Sequence, residues 1–230
     1  MWNVNIITAY PEIFPGVLGY SIIGKALNEN KWSLNTINLH DFADDKRNNI
    51  DDSPFGGGPG MVICADVVEK AVMSIKTDKK IPLIYMTPIG KPLNQKDLER
   101  FSKNEGIIIL CGRFEGVDVR VIESLGFEQI SLGDYILAGG EVAAQVLVEG
   151  CVRLLPGVLG HSESVIEESF SNNLLEYPQY TRPKIWVDRD GKKHSVPDIL
   201  VSGHHGEIKE WRKTKSVEVT KKYRPDLLKK

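Results

Sequence analysis

Three short apolar segments in this chain each run directly into a turn that contains glycine. They are Leu83–Pro92 (LIYMTPIGKP), Gly106–Gly116 (GIIILCGRFEG) and Phe127–Glu141, whose turn reads SLGDYILAGGE. A residue without a Cβ lets backbone approach a ligand closely or take a positive φ. In open α/β sheets, ligands sit beyond the carboxyl ends of the strands. Three such turns in series predict one pocket for something flat and polar.

The rest of the first two thirds of the chain fits that arrangement. Val4–Ile7 reads as a first strand, Ser21–Asn30 as a helix and Trp32–Leu39 as a second strand. Ala65–Ile75 puts Val67, Val68, Ala71, Val72 and Ile75 on one helical face, and Pro82–Met86 is a third strand. Asn94 caps a helix that has Asp97 three residues after the cap. Gly106–Leu110 is short and wholly apolar, as a buried parallel strand is. Val117, Val121 and Leu125 form a helical stripe, and Phe127–Ile130 is a fifth strand. The order β-α-β-α-β calls for an α/β fold with a parallel sheet.

Three segments stand apart. His40–Met61 is too polar for core and too glycine-rich for helix, which makes it a long loop of the kind that carries function. The helix after Gly140 has almost no polar face (Val142, Ala143, Ala144, Val146, Leu147, Val148), so it is covered on more than one side. Either a subunit interface or a third layer within the chain would do this. Arg153–Ser164 (RLLPGVLGHSES) ends the first domain, and two helices, Glu207–Lys213 and Ser216–Tyr223, are expected beyond it.

Composition narrows the class. No apolar run is long enough to span a membrane, and the N-terminus lacks the basic start and long apolar core of a signal peptide. A cytoplasmic location is the expectation. Cys64, Cys111 and Cys151 are widely spaced and form no Cys-x-x-Cys pair, so they read as buried thiols. From Lys184 onward there are 13 Lys or Arg against 7 Asp or Glu, whereas the remainder has 16 against 24. A basic tail on an acidic body suits a polyanionic partner such as nucleic acid, although a solvated helical surface would look the same.

Several motifs fail on inspection. Gly19–Ala26 (GYSIIGKA) nearly fits a P-loop, but Ala26 stands where Ser or Thr must hold magnesium. Gly56–Met61 (GGGPGM) misses the dinucleotide fingerprint because Met61 replaces its last glycine. The paired His204 and His205 have no third ligand nearby and read as cap or packing residues. Trp211, with Arg212, Lys213 and Lys215, reads as core tryptophan or as a base-stacking, phosphate-binding helix. None of the strand-end turns carries a phosphate signature. That favours a ligand held by its base and ribose, a description S-adenosylmethionine meets along with many others.

Taken together, DDSPFGGGPGM (Asp51–Met61), LCGRFEGVDVRV (Leu110–Val121), SLGDYILAGGE (Ser131–Glu141), RLLPGVLG (Arg153–Gly160), SFSNNLLEYPQYTRP (Ser169–Pro183) and VPDILVSGHHGEIKEWR (Val196–Arg212) resemble the bacterial tRNA (guanine-N(1))-methyltransferases, the TrmD type of the SPOUT superfamily. The resemblance implies a parallel-sheet α/β trefoil-knot domain over residues 1–160, a linker over 161–175 and a small α-helical tRNA-binding domain over 176–230. It implies a homodimer whose active sites are shared between subunits, and a tRNA substrate with guanosine at position 37. It places S-adenosylmethionine against Tyr85, Met86, Thr87 and Pro88, against Gly112, Glu115 and Gly116, and against Leu132, Gly133, Asp134, Tyr135, Ile136, Leu137, Gly139 and Gly140. Backbone groups of Leu132–Leu137 would hold the adenine.

The chemistry requires a base, because ring nitrogen 1 of guanine is a poor nucleophile until its proton leaves. Negative charge then spreads to the exocyclic oxygen, where an arginine stabilises it. The resemblance gives these roles to an Asp-Ser-Phe motif and to Arg153. This chain reads Glu168-Ser169-Phe170 instead, which keeps the carboxylate on an arm one methylene longer, with Glu167 beside it. Magnesium dependence through Glu115 and Glu168 is implied too, although no metal-ligand spacing shows it. Phe55 and Phe114 stand where the family commonly has tyrosine. Two rival readings are an RNA-binding relative without strong catalysis and a methyltransferase acting at another RNA position.

Overall fold

The computed structural model describes residues 1–44, 47–76, 81–159 and 169–229. The chain divides into two compact units, Met1–Gly160 and His161–Lys230. In chain order the first runs β1 (Trp2–Thr8), α1 (Ser21–Asn28), β2 (Trp32–Asn38), β3 (Asp51–Asp52), β4 (Val62–Ile63), α2 (Ala65–Met73), β5 (Leu83–Pro92), α3 (Gln95–Ser102), β6 (Gly106–Cys111), α4 (Val119–Leu125), β7 (Glu128–Ser131) and α5 (Glu141–Val152). Five of these strands form one sheet in the order β2-β1-β6-β5-β7, and every pairing in it is parallel. The α/β class expected from the β-α-β order is therefore the one observed.

β6 lies at the centre, and all six of its residues are buried. Alternation along the strand divides them between two cores. Ile107, Ile109 and Cys111 join Trp2, Val4 and Ile6 under residues of α1, α3 and α5, including Ile23, Phe101 and Leu147. Ile108 and Leu110 join Ile7 under Val67 and Val68 of α2 and Val121 and Ile122 of α4. A strand covered on both faces has no polar side to show, which is why its sequence is unbroken Ile and Leu.

β5 runs further than Pro82–Met86. It pairs with β7 up to Met86, breaks register, and resumes at Lys91. The intervening Thr87–Gly90 stretch bulges out of the ladder at the carboxyl edge of the sheet. α5 settles the question raised by its composition only in part. Ala143, Ala144, Leu147, Val148, Cys151 and Val152 are buried within the chain, yet Val142 and Val146 are 57% and 47% exposed. The near P-loop also receives its explanation: a Cβ on Gly24 would lie 2.1 Å from the Gly19 carbonyl oxygen, so Gly24 serves the close packing of α1 on the preceding turn.

The second unit contains a hairpin, β8 (Ile185–Val187) and β9 (Lys193–Ser195), and a long helix α6 (His205–Tyr223). The two helices expected here are one. No glycine or proline separates Lys213 from Ser216, and the polar residues at the supposed break are accommodated by hydrogen bonds. Buried Thr220 donates to the Ser216 carbonyl at 2.6 Å and accepts the Leu175 N–H at 2.8 Å.

Two measurements test this account. Asp97, nearly buried, closes the capping box with Asn94 and contacts Lys91 at 2.6 Å. Burial alone would raise its pKa; the hydrogen bond and charge of Lys91, then Arg100, prevail and lower it. A carboxyl depressed in the folded state stabilises the fold above its unfolded pKa and loses that contribution as pH falls through the folded value. Asp97→Asn should therefore cost about 1–2 kcal/mol near neutrality, and the gap to wild type should close below roughly pH 4 in urea titrations. Burial also pushes the Cys151 thiol up to about 12 and Cys111 well above its ordinary value. Ellman's reagent at about pH 8 should label neither thiol rapidly in the native chain, and all three cysteines after denaturation.

Candidate active site

The carboxyl ends of β5, β6 and β7 converge on a cavity of about 270 Å³. Tyr85–Pro88 form one wall, Gly112–Gly116 a second, and Ser131–Gly133 with Tyr135–Gly140 a third. Of the residues expected to hold a cofactor, Asp134 alone does not line it. The expected set also lacked six residues that do: Arg113, Phe114, Ile130, Ser131, Ala138 and Ala143 line the same space. Arg113 and Phe114 carried a signal, since they lie inside the CGRFEG turn itself.

Contacts between the turns fix these walls. Tyr85 is buried, and its hydroxyl packs against Gly112 and Gly116, near enough that a Cβ on either would sit 2.9 or 3.2 Å away. Burial raises the pKa of its phenol, so it stays protonated. The glycine-rich loop joins from the other side. The Glu115 N–H donates to the Met61 carbonyl at 2.9 Å, and the Ile63 N–H donates to the Gly116 carbonyl at 3.0 Å. A Cβ on Gly60, whose φ is +84°, would fall 2.4 Å from the Glu115 carboxylate. The loop expected to be functional thus touches the pocket wall through Glu115.

Arg113 does not pair with its neighbour Glu115. Its guanidinium Nε donates to Glu141 Oε1 at 3.1 Å, and Nη2 lies 3.0 Å from Oε2. The Oε2 contact has the distance of an ion pair without hydrogen-bond geometry. Thr8 Oγ1 completes the cluster, donating to Glu141 Oε1 at 2.8 Å. Glu141 is 1% exposed and opens α5, where a carboxylate suits the positive end of the helix dipole. The end of β1, the turn after β6 and the start of α5 are therefore tied at one point. Arg113 Nη1 also reaches the Ala138 carbonyl at 3.3 Å, and its guanidinium lies 4.4 Å from the Tyr10 ring centre.

The two expected chemical groups are placed differently. Arg153 caps the far end of α5, ten residues or about 15 Å along the helix from Ala143 of the pocket wall. Lys31, at the amino edge of the sheet beside β2, donates to the carbonyl of nearby Gly157. The segment after Arg153 therefore lies at the edge opposite the cavity. Glu168 and Glu167 fall outside the described residues. Among the described residues, no group of three His, Cys, Asp or Glu side chains is arranged to hold a metal ion, and no helix is long and apolar enough to cross a membrane.

Comparison with known proteins decides the family. The pattern of the family described as tRNA (Guanine-1)-methyltransferase TrmD matches residues 2–230. The chain belongs to this family. A tRNA (guanine-N(1)-)-methyltransferase of Brucella ovis is 52% identical over 226 residues, 98% of this chain and 91% of that protein. Proteins of the same name from Ehrlichia canis and Ruegeria pomeroyi are 50% and 49% identical, covering 98% and 99% of this chain and 94% and 92% of theirs.

Glu141→Gln keeps the bond from Thr8 but leaves the mostly buried Arg113 without its counter-charge. The expected loss is on the order of 2–3 kcal/mol in urea unfolding, with the three turns loosened together. An unchanged midpoint would show that the pair does not hold the pocket.

Proposed function

We propose that this chain transfers a methyl group from S-adenosylmethionine to ring nitrogen 1 of a tRNA guanosine, at position 37. The observation that carries the reading is the single cavity at three strand ends, in a chain about half identical to proteins named for guanine-N(1) methylation of tRNA. The cavity fits the methyl donor in its donor set. Within the third wall, the Gly133 N–H is used by Ser131 Oγ and the Tyr135 N–H by the Gly133 carbonyl. The N–H groups of Ile136 and Leu137 donate to no described residue and remain available to an adenine edge. The side chains of Leu132 and Ile136 supply apolar surface for its faces.

When bound, S-adenosylmethionine supplies an electrophilic methyl on a sulfonium centre. Glu168 is the proposed base that removes the guanine N1 proton, and Arg153 the cation that stabilises charge on the exocyclic oxygen. Arg153 stands at the edge of its own sheet away from the cavity, so a single chain does not complete the proposed site. A second copy completes it. α5 leaves Val142 and Val146 exposed, and Val17, Tyr20 and Ile136 are exposed at 63%, 76% and 80%. Covering such side chains against a copy of the same surface would make a two-fold dimer, in which the partner supplies Arg153 and Glu168. Magnesium is the other group the family resemblance implies. Glu115 is the carboxylate at the cavity wall that would supply an oxygen ligand to it.

Labelled methyl donor and tRNA transcripts carrying guanosine or adenosine at position 37 test the reaction. Transfer is expected to the first alone. Equal transfer to both would defeat the position, and transfer to neither would leave an RNA-binding chain without catalysis. Glu168→Gln should lower turnover by about two to four orders of magnitude with donor affinity unchanged. Mixing Glu168→Gln chains with Gly140→Val chains, each inactive alone, should restore activity if sites are shared between subunits.

A further inference from the structure

A second cavity, of about 460 Å³, lies wholly within the C-terminal unit. It sits over the first two turns of α6. Tyr177, Tyr180 and Trp211 supply its aromatic surface, and His205, Lys209 and Arg212 its cationic groups. Among the described residues, no carboxylate lines it. Trp211 and Tyr180 meet at a tilt, ring centres 6.4 Å apart, and Tyr180 keeps 47% of its surface exposed. The Arg212 guanidinium lies 4.8 Å from the Tyr177 ring centre, which holds that charge against the wall. Lys209 is exposed at the rim. The amino end of a 19-residue helix adds its positive dipole to the same side.

We infer that this cleft binds one unpaired nucleotide of an RNA, stacking its base on Tyr180 beside Trp211 and pairing its phosphate with Lys209 and His205. This rests on the tRNA reading above and deepens it. Three aromatic faces beside cationic side chains match a base joined to a phosphate, and the volume admits one nucleoside. An apolar peptide would not need the cations, and an acidic peptide would not need the rings. The lining of the cleft shares no residue with the methyl-donor cavity, and the role inferred for it is holding the RNA. Its signature is therefore a change in RNA affinity and in KM for tRNA, with donor binding untouched.

The test uses the full chain with a tRNA transcript, reading affinity by fluorescence anisotropy and donor binding by calorimetry. Tyr180→Ala and Lys209→Ala should each weaken transcript binding about tenfold and raise KM for tRNA similarly, with the donor Kd unchanged. Tyr180→Phe should retain affinity, because stacking needs the ring and not the hydroxyl. Lys209→Arg should do so because the charge remains. Lys221→Ala, on the same helix outside the cleft, serves as the charge control. An equal loss in Lys221→Ala would reduce the effect to the overall charge of α6 and overturn the cleft. Affinity within about twofold of wild type in both Tyr180→Ala and Lys209→Ala would overturn it while leaving the proposed methylation intact. Should Tyr180→Ala fail to fold, the exposed Lys209 variants decide. Binding lost in the variants of a wild-type chain that methylates no tRNA would defeat the activity and keep the cleft. A wild-type chain that binds no transcript would overturn both.

Discussion

The buried contact between Arg113 and Glu141 is the point on which the site depends. It joins a residue of the turn after β6 to the first residue of α5, and Thr8 ties the same carboxylate to the end of β1. Breaking such a pair leaves a charge without its partner in a poorly solvated place, which costs far more than an exposed ion pair contributes. The arginine also limits its neighbours. A Cβ on Gly139 would fall 2.3 Å from its Nε, so the third wall of the pocket can approach only because that residue has none. The pocket's shape thus follows from one charge pair and a close backbone approach.

α5 carries a second constraint. Its buried face packs on the central strands, while its amino end closes the pocket and its carboxyl end reaches the opposite edge of the sheet. A helix that returns antiparallel to the strands must separate residues at its two ends by its own length. Arg153 and the Gly139–Gly140 wall are therefore distant in one chain for a geometric reason. The exposed valines of the same helix give the proposed two-fold pairing a surface, so in that proposal one element both divides the site and offers the means of completing it.

Much of the fold was legible in local pattern. Period-two alternation in β2 and the run of Ile and Leu in β6 identified strands, and Asn94 with Asp97 identified the start of α3, because those signals act within a few residues. Other parts were not legible, for physical reasons. The bulge of β5 depends on register with β7, and the hairpin of the C-terminal unit on cross-strand pairing. The continuity of α6 through Ser216 depends on a hydrogen bond from Thr220, whose other partner is 45 residues away. The pairing of Arg113 with Glu141, in place of Glu115 two residues along, likewise joins groups 28 residues apart.

The amino-acid sequence by itself determined the α/β class and the three glycine-bearing turns. It also determined most of the residues that line the cavity, since the need for close backbone approach is written in the residues themselves. Tertiary structure alone decided that these turns share one cavity and that a buried ion pair locks them. It also set Arg153 at the far edge and assembled a separate aromatic and basic cleft in the second unit from Tyr177, Tyr180 and the start of α6. Those outcomes depend on distances between residues far apart in the chain, and no local preference encodes such distances.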